Sequence, residues 1–211
     1  KYYPFIQDEI LLLKKNDKVY SENNRISALN NLSKDGFDTA VLDDGFQHQY
    51  VKRNLNILLT DFSNPFYEDF IIPIGTLREQ RRYAKRADII IVTKCPKDIN
   101  PALERKIKKR ISFYSSAKIY FTKISYEGLI DHYNKTTSLD SKKKYLLVTS
   151  IANPRPIYEY LDEKKIQFTA KKYRDHNNFT KIQIQEVINI SRKYDAIITT
   201  EKDWMRLKET E

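Results

Sequence analysis

With 211 residues, 40% of them hydrophobic, the chain is long enough for one domain or two small ones and too apolar to be globally disordered. Its single cysteine, Cys95, excludes an intrachain disulfide and a cysteine zinc cluster; it fits a reducing cytoplasm, with the thiol as a small apolar residue at a strand end. A net charge of +10 points to an anionic partner (phosphate, nucleic acid or an acidic membrane face), and no apolar run approaches the ~20 residues that span a bilayer.

No secretory leader is visible, and a start at Lys1 instead of Met leads us to expect a fragment of a longer protein. Residues Ile6–Leu13 predict a helix with Asp8 and Glu9 near its N-terminus, where the helix dipole favours negative charge. Val19-Tyr20 is expected as a short strand, and Asn24–Leu32 as a helix with Ile26, Leu29 and Leu32 on its apolar side. The next stretch, Phe37–Leu42, reads as a buried strand that stops at Asp43-Asp44 and is followed by Gly45, Gln47 and His48. Paired carboxylates at a strand end are how nucleoside-triphosphate enzymes hold Mg²⁺, whereas Asp44-Gly45 alone would make only a turn. Leu55–Asp61 is a second buried strand ending in an acid. Ser63–Arg86 is loop-like, and Pro73–Glu79 leads into Arg81-Arg82 and Lys85-Arg86. Such guanidinium groups either grip phosphate bidentately or form a solvated basic helix face.

Ala87–Lys94, apolar without alternation, is the clearest parallel strand. Asn100, Pro101 and Glu104 start a helix by capping, fixed φ and dipole. Lys118–Ile124 is a further strand, and the polar run Asp131–Lys144 an exposed connection in which His132 is solvated. That connection suggests a division into 1–144 and 145–211. Beyond it come a strand at 145–150, a helix at 154–164, a strand at 166–170 and the cluster Tyr173–Thr180. Thr180 and Gln183 form a capping box for a helix to Arg192, and a last strand, 196–200, ends at Glu201-Lys202-Asp203. The rhythm predicts an α/β fold with a largely parallel sheet flanked by helices, and its polar clusters fall after strands, where such folds assemble sites.

Phosphoryl transfer needs a phosphate cradle, Mg²⁺ ligands and a group that activates the acceptor hydroxyl. Asp43 and Asp44 suit the metal. In Asp175-His176 a carboxylate beside an imidazole supplies a base, unless Asp8 or Glu9 is the acid that meets His176. A Gly-x-x-x-x-Gly-Lys-Ser/Thr loop is absent, and Gly36, Gly45, Gly75 and Gly128 are scattered.

The run Leu42-Asp43-Asp44-Gly45-Phe46-Gln47-His48 resembles the signature of the tetraacyldisaccharide 4'-kinase family, the lipid A 4'-kinases of Gram-negative bacteria. Asp8-Glu9, Pro73–Glu79, Ala87-Asp88, Asn153-Pro154, Asp175-His176 and Thr200–Asp203 match in the family's order. Gln7, Ile10 and Asn177-Asn178 depart from it. The resemblance implies a P-loop-kinase-like fold of which this chain is the C-terminal part, the P-loop segment lying upstream. It implies transfer of the ATP γ-phosphate, with Mg²⁺, to the 4'-hydroxyl of a lipid-linked glucosamine disaccharide 1-phosphate in lipid A biosynthesis. The setting would be peripheral, at the cytoplasmic face of the inner membrane, with anionic lipid as partner and no nucleic acid. By the same resemblance, 1–144 is the rest of the kinase core and 145–211 completes the site; alone the fragment would neither bind ATP tightly nor turn over. Asp43 and Asp44 would be the Walker-B-like metal acids and Glu9 a further ligand. Asp8 would act with His176 on the acceptor hydroxyl, and Gln47, His48 and Arg78 would face the substrate, the last two its phosphate. The competing readings are another P-loop-type NTPase and a basic nucleic-acid-binding module.

Overall fold

Two short parallel sheets organise the chain, as its unalternating apolar runs require. The computed structural model describes residues 19–20, 24–126, 128–131, 133, 135–175 and 177–208. Those residues form two compact units, the described parts of Glu22–Ser125 and of Lys1–Ser21 together with Tyr126–Glu211. The helix expected at Ile6–Leu13, with Asp8 and Glu9, and the histidines His132 and His176 lie outside the described residues.

In the first unit, α1 (Arg25–Lys34) begins where Asn24 Oδ1 accepts the N–H groups of Ile26 and Ser27 at 3.0 and 3.3 Å. Strands β1 (Ile57–Asp61), β2 (Ile89–Thr93) and β3 (Lys118–Phe121) pair in parallel in that order, Ile57 opposite Ile89 and Ile89 opposite Lys118. The central β2 buries Ile90 and Val92 completely. A 3₁₀ helix, Arg81–Arg86, precedes β2. Helix α2 (Pro101–Ser112) starts as its residues dictate, Asn100 Oδ1 accepting from Ala102 N–H at 2.8 Å and Pro101 filling the first turn. It packs Ile107 and Ile111 into the cluster that holds Ile90 and Val92. Cys95 is buried there, its thiol donating to the Val92 carbonyl, and burial raises its pKa.

The second unit opens with an antiparallel pair, β4 (Leu129–Ile130) and β5 (Thr136–Thr137). Its main sheet has β6 (Lys144–Thr149) between β7 (Gln167–Lys172) and β8 (Ala196–Thr199), all parallel. Alternation along β6 divides its side chains between two cores. Tyr145 and Leu147 join Leu161 of α3 (Arg155–Glu163), while Leu146 and Val148 join Val187 of α4 (Lys181–Ser191). The capping box of α4 is complete: Gln183 N–H donates to Thr180 Oγ1 at 3.2 Å and Thr180 N–H to Gln183 Oε1 at 3.0 Å. Helix α5 (Glu201–Lys208) follows β8. No helix among the described residues is long and apolar enough to cross a membrane.

Four expectations are corrected. The buried strand expected over Leu55–Asp61 forms as Ile57–Asp61 but is not buried, with Leu55, Ile57 and Leu59 exposed. Val19-Tyr20 is not a strand. The described residues of the connection 131–144 are exposed apart from half-buried Asp131 and Leu139, but the connection contains β5. Phe37–Leu42 is not a buried strand: it runs as irregular backbone with Val41 93% exposed. An apolar run becomes a strand only where a neighbour completes its ladder, and β1 pairs with β2 alone among the described residues.

The two-sided burial of β6 sets a stability test. Leu147→Ala removes a fully buried side chain from the central strand and is expected to cost about 2–5 kcal/mol, read as a lowered urea midpoint. Leu59→Ala on β1, where Leu59 is 62% exposed, should change stability by about 0.5 kcal/mol or less.

Candidate functional site

The run Leu42–His48 is built from tight turns. Asp44 sits in the left-handed region (φ 48°), which a short carboxylate tolerates better than most side chains, and His48 N–H closes a turn onto the Gly45 carbonyl at 3.1 Å. Gly45 is buried, and a Cβ on it would lie 2.7 Å from Leu42 Cβ, so the chain folds back on itself only with glycine there. Arg53 locks the turn, its Nη1 donating to the carbonyls of Gly45 and Phe46 at 2.6 and 3.2 Å. Sequence reasoning missed this residue; an arginine in a polar loop carries no local signal that it will hold a backbone.

Two contacts tie this turn to the arginine-rich segment. Arg78 Nη1 donates to Asp44 Oδ2 at 2.5 Å, and the Arg86 guanidinium lies 4.8 Å from the Phe46 ring centre while pairing with Glu79. A predicted metal acid and a predicted phosphate ligand, 34 residues apart, therefore meet. Both side chains are about 60% exposed, so the pair adds little stability and either partner can exchange it for another ion. Asp43 and Gln47 are exposed beside it; His48 is half-buried and, with Asn24, Arg25, Ile26, Tyr50 and Val51, lines an open hollow of about 420 Å³.

Arg78 is delivered by a loop that closes on Asp69. The buried Asp69 carboxylate accepts the Thr76 hydroxyl and the N–H groups of Thr76 and Phe70, and these bonds hold its pKa below the usual carboxylate value. A Cβ on Gly75 would fall 2.2 Å from Asp69 Oδ1 and 2.3 Å from the Phe70 carbonyl, so this loop also requires glycine. At the C-terminal ends of β1 and β2, Asp61 accepts Lys94 Nζ at 2.6 Å and the Ser63 hydroxyl and N–H at 2.7 and 2.8 Å. Burial alone would raise the Asp61 pKa; these donors outweigh it and hold the carboxyl at about 2.

In the second unit the strand ends meet at Asp203 of α5, which is fully buried. Its carboxylate accepts the Ser150 N–H at 3.0 Å, the Thr200 hydroxyl at 2.7 Å and the Ser150 hydroxyl. Arg206, also buried, donates to Ser150 Oγ at 3.0 Å and lies 3.4 Å from Asp203. The turn after β6 is thereby fixed, and Thr149 in turn accepts the Tyr173 N–H at 2.8 Å at the start of the segment carrying Asp175, itself exposed. The strand-end polarity of 199–203 was legible, but its partner Ser150, 53 residues away, was not.

Among the described residues no three His, Cys, Asp or Glu side chains converge as a metal cage. Asp43 and Asp44 fit the other way of holding Mg²⁺, in which one or two carboxylates act with waters and substrate phosphates. Of the remaining predicted site residues, Gln47, His48 and Arg78 stand with the two aspartates in the first unit, and Asp8, Glu9 and His176 lie outside the described residues.

A model of the tetraacyldisaccharide-1-P 4'-kinase family matches residues 6–211. A tetraacyldisaccharide 4'-kinase of Flavobacterium psychrophilum is 41% identical over 173 residues, covering 80% of this chain and 50% of that protein. That of Bacteroides thetaiotaomicron is 36% identical over 198 residues, covering 86% and 52%. The chain thus spans about half the length of the curated relatives it matches. Among solved structures it resembles the LpxK of Aquifex aeolicus in complex with ATP, with a TM-score of 0.53 and 20% identity over 79% of this chain and 47% of that one. This likeness bears out the α/β fold with parallel sheets flanked by helices.

Two tests follow from the geometry. A carboxyl whose pKa is lower folded than unfolded adds stability above the unfolded value, about 3.9, and loses it as pH falls towards the folded value, about 2 for Asp61. Asp61→Asn should therefore be less stable than the parent at pH 7 and converge with it between pH ~4 and ~2, read from urea midpoints against pH. Asp203→Ala leaves Arg206 buried without its carboxylate and is expected to cost about 3–5 kcal/mol in the same measurement.

Proposed function

The chain belongs to the tetraacyldisaccharide-1-P 4'-kinase family, and we propose that it contributes the acceptor-side and metal-holding residues of an ATP-dependent kinase acting on the 4'-hydroxyl of a tetraacyl glucosamine disaccharide 1-phosphate. The observation that carries this reading is the meeting of Asp44 and Arg78 at 2.5 Å beside Asp43, Gln47 and His48. Phosphoryl transfer asks the protein for positioning and charge more than for covalent chemistry, and this cluster offers both signs of charge at one exposed turn.

Asp43 and Asp44 are the residues to hold Mg²⁺, which when bound neutralises charge on phosphate oxygens. Arg78, released from Asp44, presents its planar fork to a phosphate of the acceptor. Gln47 donates or accepts at a sugar hydroxyl, and His48 in its hollow adds a second donor to the phosphate. Asp8 and His176 take the acceptor hydroxyl's proton, the carboxylate orienting the imidazole, and Glu9 is a further metal ligand. The left-handed Asp44 and the Arg53 brace support the role of this turn, since strained backbone persists only where its surroundings hold it. The surplus of cations supports a peripheral setting on an anionic inner-membrane surface.

The test is transfer from ATP to the tetraacyl disaccharide 1-phosphate by the protein expressed from its complete reading frame. His176→Ala should lower kcat by about 10²–10⁴. Arg78→Ala should lower kcat/KM by roughly 10–100-fold, the loss expected for a charge-assisted hydrogen bond. Asp43→Ala should abolish transfer at low Mg²⁺. A folded, ATP-binding protein that transfers nothing to this acceptor would refute the assignment.

A further inference from the structure

Apolar residues stand exposed at many separate points of the chain, but in the segment before Arg78 they are nearly continuous. Phe70, Ile71, Ile72 and Ile74 are 59, 42, 58 and 84% exposed, with Pro73 exposed among them. Four apolar side chains in five residues would ordinarily turn inward. Here the backbone forbids it, because the loop is pinned by its own hydrogen bonds. Ile72 N–H donates to the Leu77 carbonyl and Leu77 N–H to the Phe70 carbonyl, both at 3.0 Å. Ile74 and Gly75 N–H both reach the Ile71 carbonyl, at 3.0 and 3.2 Å, while Asp69 closes the base. The loop is an apolar tip on a rigid stalk.

Charge says what such a tip would meet. Over residues 68–86 cations outnumber carboxylates five to three. Of those carboxylates, Asp69 is consumed inside the loop and Glu79 by Arg86. Arg81 leans on the tip, its guanidinium 4.9 Å from the Phe70 ring centre and its Nε donating to the Asp69 carbonyl at 2.7 Å. Arg82 and Lys85, exposed and three residues apart, share one side of the 3₁₀ helix that follows. Apolar residues beside cations are what the headgroup boundary of an anionic bilayer accepts, the first entering the acyl region and the second meeting phosphates. A protein partner would bury the exposed guanidinium and ammonium groups at a desolvation cost that lipid phosphates offset.

We propose that the Phe70–Ile74 loop is a membrane-docking element that inserts into the interface of an anionic phospholipid bilayer. The assignment rests on the reading of a lipid-linked acceptor and adds to it a place. The loop runs directly into Arg78, so docking would set the phosphate-binding guanidinium at headgroup depth.

Cys95 is buried and is the only cysteine of this chain, so once any cysteine encoded outside it is replaced by serine, a cysteine introduced at an exposed position can be labelled alone. In the protein from its complete reading frame, Ile74→Cys carries an environment-sensitive fluorophore, with Val41→Cys, 93% exposed in the same unit, as control. Vesicles containing phosphatidylglycerol should blue-shift the probe at 74 and not at 41, and pure phosphatidylcholine vesicles should shift neither. Ile72→Asp and Ile74→Asp should each weaken vesicle co-sedimentation roughly tenfold, with unchanged urea midpoints, while Val41→Asp should not. If the parent binds vesicles yet the probe at 74 stays silent and the aspartate variants bind equally well, the loop assignment is overturned while membrane association stands. If the parent does not bind vesicles, both fall, and transfer to detergent-dispersed acceptor still judges the kinase separately. A probe shift without lipid that grows with protein concentration would mean that a second copy covers the loop, which also overturns the proposal.

Discussion

Parallel pairing is the constraint from which the rest of each unit follows. Strands that run the same way need crossovers, crossovers cover both faces, and the carboxyl ends of neighbouring strands come out at one edge. In the first unit that edge carries the Asp61–Lys94 pair at the ends of β1 and β2. In the second it carries Thr149, Ser150 and Thr199, with Asp203 reaching back from α5 to hold Ser150. Both edges gather charge and hydroxyl groups for the same topological reason, and both meet their desolvation cost with donors drawn from far along the chain.

The second edge and the Asp44–Arg78 contact use charge differently. Asp203 and Arg206 are buried, so removing either strands the other; the pair holds a turn in place and is a poor candidate for exchange. Asp44 and Arg78 are exposed, weakly held in energetic terms, and mounted on backbones that are themselves tightly held by Arg53, Asp69 and two glycines that tolerate no Cβ. A weak ion pair on rigid supports suits ligand exchange. The ions can part without any strand moving, and they remain aimed when they do.

What was legible in the sequence was what short-range physics decides. The unalternating run of β2, the apolar run of β6, the Asn100-Pro101 start of α2 and the Thr180–Gln183 box of α4 each declare themselves within a few residues, and each formed. Asp44 and Arg78 were legible as candidate residue types, and their meeting was not, because it depends on a loop closed by Asp69. The failure at Phe37–Leu42 has the same origin. Its composition is that of a strand, yet a strand is a relation between two segments, and among the described residues this one has no ladder. Arg53 and Ser150 were illegible outright, since nothing local distinguishes a polar side chain that will hold backbone or a buried acid from one that faces water.

The Asp69 loop joins these themes. Its carboxylate does for the segment 69–77 what a hydrophobic core does for a strand: it supplies an interior. Once a buried anion accepts the loop's own donors, the side chains no longer need to pack inward to stabilise the turn. Phe70, Ile72 and Ile74 are then free to be apolar and exposed at once, a combination that a loop held together by its own hydrophobic contacts cannot present. The same anchoring fixes where Arg78 leaves the loop and so where it meets Asp44. One carboxylate thus governs both the apolar tip and the aim of the guanidinium, so that lipid contact at the first and phosphate contact at the second, as proposed, would be coupled through the backbone with no motion between them.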